Sequence, residues 1–91
     1  SFLKIDRTFI SELEKKTDDA TIALTTIQLS HGLGMKSIAE GVENVEQLEL
    51  LKKWGCAIAQ GYYFAQPMPL NELLVWMTKY EKSLKQKSSE T

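Results

Sequence analysis

Strand-like runs alternate with helix-like stretches along this chain, and this alternation limits the possible folds more than any other feature. Residues 2–6, 36–39 and 56–59 have the length and side-chain pattern of short strands. After each of them, apolar residues recur at helical spacing, beginning with a short helix predicted over residues 8–16. Strands that alternate with helices in this way favour βα units and a parallel sheet.

Capping residues and glycines predict where the two central helices begin and end. Residues 17–19, Thr-Asp-Asp, supply amino-terminal cap candidates and acidic first-turn residues for a second helix, which is predicted to end near Gly32 or Gly34. Asn44, with Gln47 three residues later, resembles a capping box at the start of a third helix.

The last helix is predicted from a proline and an apolar stripe. Gly55 ends the third helix, and Pro69 suits the first turn of the fourth. From about Lys82 the chain is rich in serine, lysine and glutamine, which predicts a disordered polar tail over residues 82–91. The buried stripe of the last helix is predicted to contain Leu70, Leu73, Leu74, Met77 and Tyr80.

Each predicted strand carries an apolar residue and, two positions later, a polar one. Residues two apart share a strand face, so the apolar member lies deeper and the polar member nearer the carboxyl end. A βα barrel has this arrangement, although polar residues that merely mark strand ends would also produce such a pair. A complete barrel needs about 250 residues, so three βα units are only part of one. The pairs are Phe2 with Lys4, Ile38 with Glu40, and Ile58 with Gln60.

Composition and charge narrow the class of protein. Hydrophobic residues make up 43% of the chain and charged residues 25%, which is typical of a globular protein. The formal net charge of −1 does not favour binding to DNA, RNA or anionic lipid. No apolar run reaches the roughly 18 residues that span a membrane, and no signal segment precedes the first strand. With a single cysteine, these features predict a cytoplasmic location.

Charged side chains lie within or just after two of the predicted strands. Glu40 and Glu43 are close enough to bind a hard divalent cation, or for one to activate a water while the other orients a ligand. Alternatively, Glu43 neutralises the amino end of the next helix. Lys4 and Asp6 could orient an attacking water or meet a phosphate oxygen, or could form an exposed ion pair with no chemical role.

An amide and three aromatic residues follow the third predicted strand. Gln60 and residues 62–64 suit a planar base through hydrogen bonds and ring stacking, although core aromatics around a turn are the alternative. His31 is predicted to have no catalytic role, and Cys56 to be a buried small side chain. The chain contains no zinc-binding spacing, phosphate loop or nucleophile elbow.

Taken in order, these segments resemble the second half of EAL-family domains, the phosphodiesterases that linearise cyclic di-GMP. The resemblance extends to about Met77 and implies a modified TIM barrel with its site at the carboxyl ends of the strands. Residues 1–81 would then be the carboxyl-terminal part of such a barrel. The matching positions are residues 3–6, 9–10, 38–43, 47, 51, 55–56, 60–62, 64 and 67.

The same resemblance implies roles for five side chains. Lys4 would bind the catalytic water or a metal-bridging oxygen, and Glu40 would be the general base or a ligand of the second metal. Gln60 would contact the nucleotide, while Glu43 and Asp6 would support substrate binding. The metal implied by the family is magnesium or manganese, which activates water and steadies the phosphodiester.

Several family features are missing from this chain, namely the Glu-Ala-Leu segment, a metal-binding Asn, a further Glu and a paired Asp. The chain also opens in a strand without methionine, which predicts that it is a piece of a longer protein. We therefore expect it neither to hydrolyse nor tightly to bind cyclic di-GMP alone. We expect it to associate with itself or with the missing amino-terminal half, in a parent that upstream segments could anchor to a membrane.

Two other readings compete with an active parent enzyme. The parent could have lost catalysis and serve as a cyclic di-GMP receptor or protein-interaction module. The chain could also be a self-standing α/β interaction domain, although its opening in a strand argues against this.

Overall fold

The computed structural model describes residues 1–15, 17–61 and 66–89, with side chains described as far as residue 85. Strands and helices alternate through the first three strands, as the sequence pattern predicts. A single 3-10 turn, Leu13–Lys15, follows the first helix. The elements are β1 (Phe2–Ile5), α1 (Arg7–Ile10), α2 (Asp18–Gly32), β2 (Lys36–Val42), α3 (Val45–Trp54), β3 (Ile58–Gly61), β4 (Met68–Pro69) and α4 (Leu70–Ser89).

The strands form one sheet in the order β1-β2-β3-β4. Strands β1, β2 and β3 are parallel, which confirms the predicted α/β class with a parallel sheet. Strand β4 pairs antiparallel with β3, with Met68 opposite Ala59. Two prolines flank Met68, and for this reason the sequence indicated only a loop there.

The helix caps form where the sequence predicted them. The Thr17 side chain accepts a hydrogen bond from Ala20 N at 3.4 Å, and α2 ends at Gly32. Asn44 Oδ1 accepts from Gln47 N at 2.8 Å, which begins α3. Gly55 ends that helix with a φ of 89°, in the left-handed region that glycine adopts without strain.

Several boundaries differ from the prediction. The first helix is only one turn long and gives way to the 3-10 turn. Strand β2 does not stop before Gly41 but continues to Val42, and β3 lies two residues later than predicted. These strand ends depend on hydrogen bonds between strands, which a local pattern does not contain.

The last helix also departs from its predicted pattern. Pro69 ends β4, and α4 begins one residue later. Leu70, Leu73 and Met77 are buried as predicted, but Tyr80 is 44% exposed and stacks on Trp76 with ring centroids 5.1 Å apart. Placing Tyr80 in the buried stripe was therefore wrong. The helix continues past Lys82, and the division into a barrel portion and a tail stays a prediction.

All four helices pack on one face of the sheet, here called the outer face. Its strand residues in the core are Ile5, Ala39, Val42 and Ala59. The opposite, inner face carries Lys4 and Ile38, neither of which joins this cluster. The cluster contains Ile5, Ile10, Leu13, Ala20, Ala23, Ile27, Ala39, Val42, Leu48, Leu51, Cys56, Ala59, Leu70, Leu73 and Met77.

Candidate functional site

Polar side chains occupy two levels on the inner face of the sheet. Lys4 lies directly beside Ile38, and Ile38 beside Ile58, so these three residues form one level across β1, β2 and β3. Glu40 and Gln60 follow two residues later, about 7 Å closer to the carboxyl edge. The predicted pairs therefore share faces, but Lys4 lies one level deeper than the other two polar residues. Its four-carbon stem can still raise the ammonium group toward them.

A bulge in β2 separates the two carboxylates of the candidate site. Ala39 pairs with Ala59 and Val42 with Gly61, so Glu40 and Gly41 together lie opposite the single residue Gln60. The extra residue reverses the alternation of side chains. Val42 consequently joins the outer-face core, while Glu40 stays on the inner face. Bulges of this kind commonly re-aim side chains beside functional sites.

Gly41 allows this bulge because of its conformation and its neighbour. Its φ is 73°, and an added Cβ would overlap Arg7 Cγ and lie 2.8 Å from Arg7 Cβ. The stem of Arg7, at the start of α1, therefore lies directly against the backbone of the bulge. Nothing in the local sequence around Arg7 indicates this contact, because Arg7 and Gly41 are 34 positions apart.

Glu43 follows the bulge, and its backbone is fixed although its side chain is exposed. Glu43 N donates a hydrogen bond to Gln47 Oε1 at 2.8 Å. The Gln47 side chain is only 1% exposed and belongs to the first turn of α3. Glu81 of α4 adds a second contact, since its Oε1 accepts from Val45 N at 3.2 Å. These bonds hold the turn after β2 against two helices.

Asp6 lies just beyond β1, at the carboxyl edge, where it caps α1. Its Oδ2 accepts from Thr8 Oγ1 at 3.0 Å and from Thr8 N at 3.5 Å. Asp6 and Lys4 form no ion pair with each other, so the surface ion pair considered from the sequence is absent. Asp6 therefore fixes the direction in which the chain leaves the strand.

Below the polar residues, the inner face is apolar and open. A groove of about 380 Å³ runs across it, between the amino end of β1 and the β3-β4 pair. Tyr62, Tyr63 and Phe64, which were predicted to stack on a base, lie outside the described residues. The groove is lined by Phe2, Lys36, Ile38, Ala57, Ile58, Pro67, Met68 and Pro69.

The donor groups at the carboxyl edge fit only part of a metal site. Glu40 and Glu43 supply carboxylate oxygens, which magnesium and manganese prefer. Within residues 1–15, 17–61 and 66–85, however, no three acidic, histidine or cysteine side chains come together. This part of the chain can therefore contribute a ligand but does not form a metal centre.

The histidine and the cysteine lie away from this edge, and Cys56 is buried, as predicted. His31 Nε2 is 2.9 Å from Gly55 O, which links the ends of α2 and α3. Burial raises the pKa of the Cys56 thiol, despite hydrogen bonds to the carbonyl oxygens of Ser37 and Ile58. A thiol held in its neutral form is a poor nucleophile. Among the described residues, no helix has the length and apolar character needed to cross a membrane.

Comparison with known proteins assigns the sheet and its polar edge to a family. The family model described as the EAL domain matches residues 1–67. The chain belongs to the EAL domain family. EAL domains are TIM-like barrels, so the three parallel βα units form part of a barrel, with Lys4, Glu40 and Gln60 facing its interior.

Two curated relatives of this EAL chain come from Pseudomonas aeruginosa. The bifunctional diguanylate cyclase/cyclic di-GMP phosphodiesterase MucR is 46% identical over 74 residues, covering 81% of this chain and 11% of MucR. The cyclic di-GMP phosphodiesterase RocR is 39% identical over 74 residues, covering 81% of this chain and 19% of RocR. The chain thus spans less than a fifth of the length of either relative.

Solved structures of EAL proteins have the same fold over this region. The MucR phosphodiesterase in complex with cyclic di-GMP superposes with a TM-score of 0.65 at 46% identity, covering 81% of this chain and 30% of that one. An EAL domain protein from Listeria monocytogenes gives a TM-score of 0.64 at 34% identity, covering 100% of this chain and 32% of that one. The chain corresponds to a part of an EAL domain.

Proposed function

We propose that the protein containing this chain hydrolyses cyclic di-GMP to the linear dinucleotide in bacterial signalling, as a metal-dependent hydrolase. One observation carries the proposal. An EAL-family sheet places Glu40 and Gln60 on its inner face at the carboxyl edge, with Lys4 one level below. In βα barrels this edge is where catalytic side chains lie.

The roles of these three side chains follow from their chemistry. Glu40 accepts the proton of the attacking water, or lends an oxygen to a metal, because a carboxylate can do either. Lys4 orients that water or meets a phosphate oxygen through its ammonium group. Gln60 offers both a donor and an acceptor to the edge of a guanine base.

Glu43 and Asp6 support substrate binding from the edge of the sheet. Both follow their strands immediately, and each lies in a turn fixed by hydrogen bonds, to Gln47 and Thr8 respectively. Fixed turns hold polar groups at constant positions relative to the reacting atoms, which lowers the entropy cost of the reaction.

Magnesium or manganese, when bound, would make a water more acidic and neutralise charge on the phosphodiester. Glu40 is the residue of this chain that we propose as a ligand, of a second metal if two are bound. The remaining ligands would come from other parts of the protein, since the described residues bring no three ligating side chains together.

We propose that the 91-residue chain alone is inactive and associates with the missing amino-terminal half of the barrel, or with itself. The open apolar groove on the inner face and the free edge of β1 support this, because both are covered in a closed barrel. The parent site is proposed to be cytoplasmic, which fits a single cysteine that is buried and unpaired.

Assay of the complete domain tests the proposal. Purified domain with manganese should convert cyclic di-GMP to the linear dinucleotide, as followed by chromatography, whereas the 91-residue chain should not. Tight binding without turnover would favour the receptor alternative. If the domain showed no binding and no turnover, the enzyme proposal and the receptor alternative would both be refuted. Linearisation by the chain alone would contradict the part of the proposal that concerns the missing half.

A further inference from the structure

The turn between β2 and α3 is held by a buried amide that the catalytic roles above do not use. Gln47 N donates to Asn44 Oδ1, and Gln47 Oε1 accepts from Glu43 N, both at 2.8 Å. Its side chain is 1% exposed. A buried side-chain amide is costly unless it is hydrogen-bonded, so the bond from Glu43 N to Oε1 favours one position of the Gln47 side chain. The bond from the Gln47 backbone N to Asn44 caps the helix that follows the turn.

The bond to Glu43 exceeds what a helix cap requires. In a capping box, the residue three positions after the cap bonds back to the amide of the cap itself, which here is Asn44. Gln47 instead reaches the amide of Glu43, one residue earlier. It therefore fixes the residue that carries a candidate site carboxylate.

Two further contacts hold the same segment from other directions. The Arg7 stem lies against Gly41, on the strand side of the turn. Glu81 of α4 accepts from Val45 N, on the helix side. Together with the bond between Gln47 and Glu43, these contacts hold the segment that carries both carboxylates at three points along its length.

We propose that Gln47 is a positioning residue for the reaction: its amide oxygen fixes the backbone of Glu43 and thereby the spacing of Glu43 and Glu40. This inference rests on the proposed function. Misplacing a catalytic group by about 1 Å can cost about a hundredfold in rate, so a free turn lowers kcat through the altered position of Glu40 and raises KM through Glu43, which supports substrate binding.

The test compares three variants of the complete domain. Gln47→Met keeps the volume of the side chain but removes the acceptor. Gln47→Glu keeps an acceptor in the same place. Leu51→Val is the matched control. Leu51 lies one turn later on α3 and faces the outer-face core, so this change lowers stability but leaves the contacts to the turn intact.

Two readouts separate positioning from folding. Gln47→Met should speed hydrogen exchange at the Glu43 amide about tenfold or more, because that amide loses its acceptor. It should also lower kcat about tenfold to a hundredfold and raise KM, because Glu43 supports substrate binding. Gln47→Glu should keep the amide protected and retain most of kcat. Leu51→Val should lower the melting temperature without changing either readout.

Unchanged protection of the Glu43 amide in Gln47→Met would overturn the proposal, and so would an unchanged kcat per folded molecule. If that variant does not fold, Gln47→Asn withdraws the acceptor by one carbon and takes its place. If the wild-type domain does not turn over cyclic di-GMP, the proposed function fails. Amide exchange then still decides whether Gln47 holds the turn.

Discussion

The outer and inner faces of the same sheet are built for different purposes. On the outer face, Ala39 and Ala59 are fully buried beneath the helices, and Val42 joins them beyond the bulge. On the inner face, Lys4 is exposed and Ile58 only partly covered. The outer face holds the hydrophobic core, whereas the inner face carries the residues proposed for the chemistry.

The largest effect is expected from an inner-face carboxylate. In the complete domain, Glu40→Gln should lower kcat for cyclic di-GMP about a thousandfold, because a general base contributes about 10² to 10⁴. The melting temperature should change little. Glu49→Gln, an exposed change on α3, is the control and should leave kcat as it is. Equal loss in both variants would argue against a chemical role for Glu40.

A large loss of stability is expected on the outer face. In the 91-residue chain, Leu48→Ala should lower the free energy of unfolding in urea by about 2–5 kcal/mol, because Leu48 is fully buried. Ile58→Ala on the inner face should cost less than about 1 kcal/mol, because the side chain is only partly buried. In the complete domain, where the rest of the barrel covers the inner face, Ile58→Ala should lower the free energy of unfolding by more than it does in the 91-residue chain. An equal cost at Ile58 in both proteins would contradict the open inner face.

A smaller loss is expected at the bulge that joins the two faces. Gly41→Ala should destabilise the complete domain by about 2–4 kcal/mol, from left-handed strain and overlap with Arg7. Gly34→Ala introduces the same left-handed strain, but no atom lies near the added methyl group, so it should lower the free energy of unfolding by only about 1 kcal/mol. Gly32→Ala has neither and should be neutral or stabilising. Equal melting temperatures for Gly41→Ala and Gly34→Ala would show that the Arg7 contact does not matter.

The smallest effect concerns the buried thiol at the base of the outer face. Because burial raises the pKa of Cys56, the folded chain keeps a proton that the unfolded chain loses above about pH 8.5. Stability should therefore fall as the pH rises above that value. Urea midpoints of wild type and Cys56→Ala between pH 7 and pH 10 isolate this contribution. Parallel pH profiles for the two proteins would be the contrary result.

The sequence by itself determined the features that depend on neighbouring residues. The caps at Thr17 and Asn44 and the stop at Gly55 follow from local hydrogen bonding and glycine conformation. Alternation along each strand also gave the shared face of Ile38 and Glu40. Such patterns are short-range, so they can be recognised without knowing the rest of the fold.

Only the tertiary structure decided how these pieces meet. It set Lys4 one level below Glu40, because strand register depends on pairing between distant segments. It also placed the bulge opposite Gln60 and brought Arg7 against Gly41. The Glu81 contact with Val45 joins residues 36 positions apart and left no sign in either local sequence. Contacts of this range arise from packing of whole elements, and they hold the backbone of the segment that carries Glu40 and Glu43.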